Sequence, residues 1–464
     1  RFEKYYDQGF RKRHGMADAC FFDKSVFGKD TLARNQVGVD FNDHHFDAKK
    51  LEAFLIEAPF SEQGKSDMRR LFLEERDYLP GMSIDEKRKL LRGISIKTFL
   101  EKYAKVAPEI LQYYQQRTHG SFGSGADSVD AEGGIFVLPS AVAVGLGFGD
   151  GSSMFDSEPY INHFPDGNAS IARLLVRSLV PGSAPGSTME DIVTAQMDYS
   201  RLDRRQSRVR IRLNSTVVAA KHVGDVENSS AVEVTYVQKG EARSVRADKV
   251  ILACWNMVIP YICPEMSKAQ RDGLAYCVKV PLVYGTVVIR NWQALKKLGV
   301  STAYCAGSYF SEVYMDFPVS IGSYRFTQSP DEPCVLHLVR VPTFPGLPLK
   351  DQYRAGRAEI LATSFETFEQ QVRDQLGRMF GPGGFDPLRD ILAITINRWP
   401  HGYAYSYSSL FDPEFAPGQE PHIIGRKRFG RISIANADSG AMAETSVAIE
   451  QAMRAVQEVS DQAS

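Results

Sequence analysis

The stretch "GRISIANADSGAMAETSVAIEQAMRAV", residues 430–456, says most about the fold. Its first part, "RISIANAD", is short and β-branched, which favours a strand. The strand stops at an acid, Asp438, and Ser439, Gly440 and Ala441 follow as a tight turn of small residues. Beyond the turn Ile449, Ala452, Met453 and Val456 recur at the spacing that lines one face of an α-helix, so a helix packed by that face is expected. A helix opening at the turn aims backbone N–H groups at whatever occupies it. Strand, turn and helix in this order point to an α/β unit with a ligand at the turn.

The rest of the chain sets bounds on this reading. With 464 residues, 43% of them hydrophobic, it is long enough for more than one domain. A formal net charge of −1 gives no electrostatic footprint for nucleic acid or an anionic membrane, and both are set aside as partners. No apolar run approaches the roughly 18 residues that span a bilayer, and the start lacks the basic-then-apolar pattern of a signal peptide. The six cysteines, Cys20, Cys254, Cys263, Cys277, Cys305 and Cys334, are widely spread. None has the spacing of a zinc, iron–sulfur or thiol-exchange site, and without CxxCH any haem would be held non-covalently. A start at Arg1 rather than Met suggests a fragment or a processed product.

Along the chain, "DAKKLEAFLIEAPF", "SDMRRLFLEERDYL", "SIDEKRKLLRG" and "SIKTFLEKYAKVAPEILQYYQQRTHG" carry helix-spaced apolar residues, so the part up to about Asp130 reads as helical. A Gly/Ser/Pro-rich connection follows, then a helix in "DGNASIARLLVRSLVPG" with Asp166 or Asn168 as cap. "SRVRIRLNSTVVAAKHVG", "AVEVTYVQKG" and "EARSVRADKVILACW" read as strands, the last two as a hairpin. "LVYGTVVI" and "PCVLHLVRV" are further strands, and "YRAGRAEILATSFETFEQQVRDQLGRMFG" reads as one long helix. Blocks of this kind predict a mixed α/β (α+β) chain in two interleaved parts rather than one doubly wound sheet.

The glycines of "GLGFGDGSS" (Gly145, Gly147, Gly149, Gly151) invite a dinucleotide-binding reading. The sixth position from Gly145 is Asp150, and no amphipathic helix follows, so the segment is read as a loop. "VRIRLNSTVVAA", "DKVILACWN" and the 430–456 stretch, in that order, nevertheless resemble the second half of the FAD domain of the flavin amine oxidase superfamily. That resemblance implies that Val217 packs on adenine and that Asp438 contacts the ribityl chain. Ala253, Asn436 and Ser439 complete the implied cofactor-binding set, with a helix N-terminus stabilising the charge of the reduced ring.

"SDMRRLFLEERDYLPGMSIDEKRKLL", "LDRRQSRVRIRLNSTVV", "MDFPVSIGSYRF", "GGFDPLRDILAITINRWPHGYAY" and "GRISIANADSGA" are together similar to the spermidine dehydrogenase family, flavoproteins that also carry haem b. The likeness implies an interrupted Rossmann-like FAD domain and a substrate domain of helices plus antiparallel sheet. It divides the chain at 1–164 (helical part of the substrate domain and connection), 165–265 (FAD segment), 266–410 (substrate domain) and 411–464 (FAD segment). The family's first strand, G-x-G-x-x-G turn and ribose-binding acid are expected upstream of Arg1.

In "NRWPHGYAYSY", Trp399, His401 and Tyr403 are the candidate catalytic residues; on a strand, Tyr403, Tyr405 and Tyr407 would share one face. Such a face can hold a cationic amine, or it is a core aromatic cluster with one satisfied histidine. Carboxylates able to fix an amine are Asp156, Glu158, Glu312 and Asp316; histidines near glycines or aromatics, as axial haem ligands often are, are His119, His163 and His401. The implied activity is hydride transfer from an amine, such as spermidine, to FAD, with haem b or an external acceptor taking the electrons, in an exported bacterial protein. Alternatives are another superfamily oxidoreductase, desaturase-type or acting on another amine, or a non-catalytic remnant.

Overall fold

The computed structural model describes residues 2–35, 48–149 and 164–460. The chain forms two compact units, Arg1–Arg201 with Pro281–Trp399, and Leu202–Val280 with Pro400–Ser464. The mixed α/β class read from the sequence is the class observed.

Strands β1 (Ala17–Phe22), β2 (Thr31–Arg34), β7 (Leu282–Ile289), β8 (Val300–Ala306), β9 (Glu312–Met315), β10 (Cys334–Arg340) and β11 (Ile391–Trp399) belong to the first unit. The second unit holds β3 (Ser215–His222), β4 (Val232–Gln238), β5 (Glu241–Ala247), β6 (Val250–Leu252) and β12 (Ile432–Ile434). The first unit's sheet has the order β11-β7-β10-β9-β8-β1-β2. All pairs are antiparallel except β1 with β8. Alternation separates its faces. Phe21, Ala303, Cys305, Val313, Leu336, Leu338 and Val287 are buried on one face with Val372, Leu376 and Met379 of the helix Phe365–Phe380. On the other face Cys20, Phe22 and Tyr304 are covered by the helical part, through Phe54 and Tyr113. Towards β9, β10 and β7 that face turns polar and half-buried, with Glu312, Tyr314, His337, Tyr284 and Thr286.

Two expectations change here. The N-terminal part is not purely helical, because "ADACFF" and "TLAR" form β1 and β2; strands of six and four residues leave little periodic signal among helices. The long helix after Pro348 is two, Leu349–Ala362 and Phe365–Phe380. Thr363 takes an extended conformation, and the Ser364 hydroxyl accepts the Thr367 N–H at 3.2 Å, which starts the second helix.

In the second unit β3, β4 and β5 make an antiparallel meander. β6 runs parallel to β12, and Leu252, Ile432 and Ile434 share a core with Ile259, Leu274 and Ala220. "VRIRL" forms no strand; β3 begins at Ser215. The helix after β12 also differs from its reading. A short turn, Ala437–Gly440, precedes it, Ala441 sits at φ 53°, and the helix runs Thr445–Ser460. Its apolar stripe faces outward, with Ile449 54% and Met453 69% exposed, while Gln451 and Ala455 are buried. Polar bonding sets that rotation: Gln451 Oε1 accepts from Arg426 (3.1 Å) and Arg454 (2.9 Å), and Arg454 also donates to the Ile434 carbonyl.

Candidate functional site

In the second unit the polar residues concentrate where the parallel pair β6 and β12 ends. Ligands of α/β sheets bind outside the carboxyl ends of such strands, where carbonyls and side chains are not spent on the ladder. Asn436, just past β12, joins the two strand ends. Its Nδ2 donates to the Cys254 carbonyl (2.5 Å) and to Asn256 Oδ1 (2.8 Å). Its Oδ1 accepts the Ser439 N–H (2.8 Å) and hydroxyl (3.0 Å), which folds the turn. Asp438 is buried; Oδ2 accepts the Asn256 N–H at 3.3 Å, and Oδ1 lies 2.5 Å from Lys279 Nζ. Asn256 is fully buried, yet its Nδ2 meets no hydrogen-bond partner among the described residues, an arrangement that costs roughly 1–3 kcal/mol unless a ligand satisfies it.

The aromatic motif closes on the same region. Gly402 N–H donates to the Val280 carbonyl (2.8 Å) and Val280 N–H to the Tyr403 carbonyl (3.1 Å), so the segment is strapped beside Lys279. His401 stacks on Trp255 with ring centroids 3.5 Å apart. Tyr403, Tyr405 and Tyr407 do not form a strand: β11 ends at Trp399, where Pro400 removes the next donor. Tyr405 is buried instead, and its hydroxyl (2.7 Å) and that of Tyr276 (2.6 Å) both donate to Asp412. Burial, then the bond to Asp412, pushes both phenols up.

Of the residues singled out in the sequence, Asn436, Asp438 and Ser439 thus form one bonded cluster. Ala253 is exposed at the end of β6, and Val217 is 40% exposed on β3 at a register shift between Val217 and Ala219. His401 and Tyr403 lie in the second unit, whereas Trp399 ends β11 of the first, 54% exposed and paired with Leu282. The sequence reading passed over Lys279, Asn256 and Trp255. Trp255 and Asn256 stand in the quoted "DKVILACWN"; Lys279, in "CVKVPLV", carries no local signal.

In the first unit the half-buried polar sheet face is the counterpart. Burial raises the Glu312 pKa, with Arg117 opposing. A Cβ on Gly120 would stand 2.9 Å from Glu312 Oε1, so the glycine leaves room for that carboxyl. Asp316 follows on the same face; Asp156, Glu158 and His163 lie outside the described residues. His119 is buried with neither ring nitrogen hydrogen-bonded among the described residues, and burial, then the Arg340 charge, lowers its pKa to about 3. It is therefore neutral when folded but takes up a proton near the ordinary imidazole value of about 6.5 when unfolded. Stability then falls as pH drops through that window, by up to about 1.4 kcal/mol per pH unit from this group. His119→Leu should flatten the loss between about pH 7 and 5 in urea unfolding; an unchanged slope would refute the assignment.

No family model and no curated protein sequence matches the chain. Among solved structures it is similar to wild-type putrescine oxidase bound to putrescine, at 16% identity and a TM-score of 0.51, covering 96% of this chain and 81% of that one. It is also similar to a single-substitution mutant of putrescine oxidase, at 15% identity and a TM-score of 0.53, covering 98% and 85%. Cyclohexylamine oxidase from Brevibacterium oxydans IH-35A matches at 12% identity and a TM-score of 0.48, covering 99% and 86%. At these identities the likeness is one of fold: the two interleaved α/β units of this chain have the fold of putrescine oxidase.

Proposed function

We propose that the protein is an FAD-dependent oxidoreductase that oxidises a small amine, a polyamine such as spermidine being the substrate that the sequence resemblance favours. The observation that carries the reading is the cluster at the ends of β6 and β12, above all the buried Asn256 amide with its unused donor. Such a donor fits a flavin ring or ribityl chain, both rich in acceptor atoms. The putrescine oxidase fold supports the same reading, and that wild-type structure is bound to putrescine.

Asn436, Ser439, Asp438 and Asn256 would hold the cofactor by hydrogen bonds, with the exposed Val217 and Ala253 available for apolar contact. When bound, the flavin supplies an acceptor for the hydride that leaves the amine's α-carbon. The chain's own part is orientation and charge. Lys279, already paired with Asp438, brings a cation to the cluster, and Trp255 stacked on His401 gives a flat wall against which an apolar substrate segment can rest. On the polar sheet face, a cationic amine beside Glu312 would favour its carboxylate form. Haem b, which the resemblance also implies, would be held by a neutral imidazole, and His119 has that donor chemistry. The preference for a dehydrogenase over an oxidase, and an exported bacterial setting, rest on the resemblance.

The test is flavin binding. Titration with FAD should quench flavin fluorescence and leave visible flavin bands after desalting. Asn256→Leu, similar in volume but without the amide, should weaken binding about tenfold or more. A parent that binds no flavin, both as it stands and lengthened upstream in its gene, would overturn the reading.

A further inference from the structure

The strand β11 ends the first unit's sheet, with β7 on one side and, among the described residues, no strand on the other. Arg290 donates its N–H to the Asp390 carbonyl at 2.8 Å, so Arg290 turns its backbone groups towards β11. Alternation carries the same orientation to Val288, Thr286, Tyr284 and Leu282, whose partners on β11 are Ala393, Thr395, Asn397 and Trp399. The backbone groups of Ile394, Ile396 and Arg398 therefore point the other way, to the open edge, where no described backbone group bonds to them. Natural sheets guard such an edge with lysines, prolines, bulges or inward charges. β11 has its bulge at the start, between Ile391 and Ala393, and from there to Trp399 it carries neither lysine nor proline. Its one charge, Arg398, is drawn back to the end of the helix Leu349–Ala362, with Nη1 3.4 Å from the carbonyls of Ile360 and Thr363.

We propose that this edge pairs with the same edge of a second copy of the chain, joining two sheets across a two-fold axis. The regular stretch from Ala393 to Trp399 is centred on Ile396. Antiparallel pairing of all of it sets Ile396 opposite Ile396 and Ile394 opposite Arg398 as hydrogen-bonded pairs, with Thr395 opposite Asn397 between them. A two-stranded pairing alone is marginal in water, and a stable interface needs about 800 Å² per copy, so the flanks must contribute. They match the same axis. Leu361 and Phe365 stand exposed by the Arg398 end of the strand, and Leu388 (84% exposed) and Leu392 by its start, so antiparallel pairing brings one apolar pair against the other. The helix Phe365–Phe380 runs against the direction of β11, from beside Arg398 to Arg373, which donates to the Pro387 carbonyl at 2.6 Å. Its acidic start, Glu366 and Glu369, thus comes opposite Arg373 of the second copy, where unlike charges meet. The contact uses the same patch on both copies and closes at two.

Size-exclusion chromatography with light scattering reads the result without any ligand. At about 100 μM the chain should run at twice 51.7 kDa and fall towards 51.7 kDa on dilution to about 1 μM. Thr395 and Asn397 are exposed on β11 and face each other across the axis, so they test the register. Thr395→Lys/Asn397→Lys opposes like charges and should weaken the dimer about tenfold or more, whereas Thr395→Glu/Asn397→Lys opposes unlike charges and should restore it. Leu388→Asp, outside the sheet, should weaken it as well. Each variant should keep the parent's urea midpoint when dilute, because none of these side chains is buried in the single chain. A parent that stays at 51.7 kDa throughout, a dimer that the paired lysines leave intact, or a mass that climbs past two copies overturns the inference. The amine reading stands or falls separately, on flavin binding.

Discussion

Asp438→Ala is expected to destabilise the second unit by about 3–5 kcal/mol, because it removes the buried carboxylate that neutralises a mostly buried ammonium. Lys279 Nζ lies 2.5 Å from Asp438 Oδ1, with the two side chains 13% and 1% exposed. Urea unfolding should show the loss, and Asp438→Ala/Lys279→Met should recover most of it by removing the buried positive charge as well. The double variant also tests the cofactor role of the Asp438–Lys279 pair. Folded but without the carboxylate, it should retain less FAD than the parent. Equal flavin occupancy in the two would remove Asp438 from the cofactor-binding set, and an unchanged urea midpoint in the single variant would remove the ion pair as a structural element.

The second large effect is at Gly145. The glycine-rich segment around it looked like a nucleotide loop and was read as an ordinary one; Gly145 in fact lies within the helix Ser140–Leu146. A Cβ there would overlap the Arg76 carbonyl oxygen and stand 2.5 Å from the Arg76 nitrogen. Both are backbone atoms, so no rotamer change relieves the overlap. Alanine's better helix propensity returns about 1 kcal/mol against a steric cost that three backbone atoms put at about 3 kcal/mol, the upper end of the overpacking range. The net expectation for Gly145→Ala is a loss of about 2 kcal/mol, read from denaturant unfolding of the first unit. Gly93→Ala is the control: with φ −91° and no atom nearer than 3.4 Å to the added methyl, it should shift stability by less than about 0.5 kcal/mol. If the two glycine variants behave alike, the close approach to Arg76 is not what requires glycine.

What the sequence disclosed follows from the range of the interactions. Asp438 at the end of a β-branched strand, and Asn436 and Ser439 beside it, were legible because strand, turn and acid are local. Lys279, which pairs with Asp438 across 159 residues, was not, since nothing near either residue encodes the other. The alternate tyrosines after Trp399 matched strand periodicity, yet Pro400 ended the ladder and Tyr405 turned inward to Asp412. The apolar stripe at Ile449, Met453 and Val456 was correctly seen as helical, but periodicity says only which residues share a face. The bonds of Gln451 and Arg454 decide which face turns in. Likewise Asp316 was legible as a carboxylate among aromatics, while its pairing with His337 needed the antiparallel register of β9 and β10.

The division of the second unit between residues 202–280 and 400–464 also governs how the protein is made. β6 leaves the ribosome about 180 residues before β12, the strand it pairs with. At synthesis rates of about 5–20 residues per second, its edge waits roughly 10–40 seconds for that partner. During that interval Ile251 and Leu252 are a short apolar edge without a ladder, and the meander of β3, β4 and β5 is the part of the unit already able to fold from local contacts. Assembly of the second unit is thus a late event, after the whole sheet of the first unit has been synthesised. Slowing translation between residues 281 and 399 should lengthen the exposure of that edge and increase its capture by chaperones or aggregation.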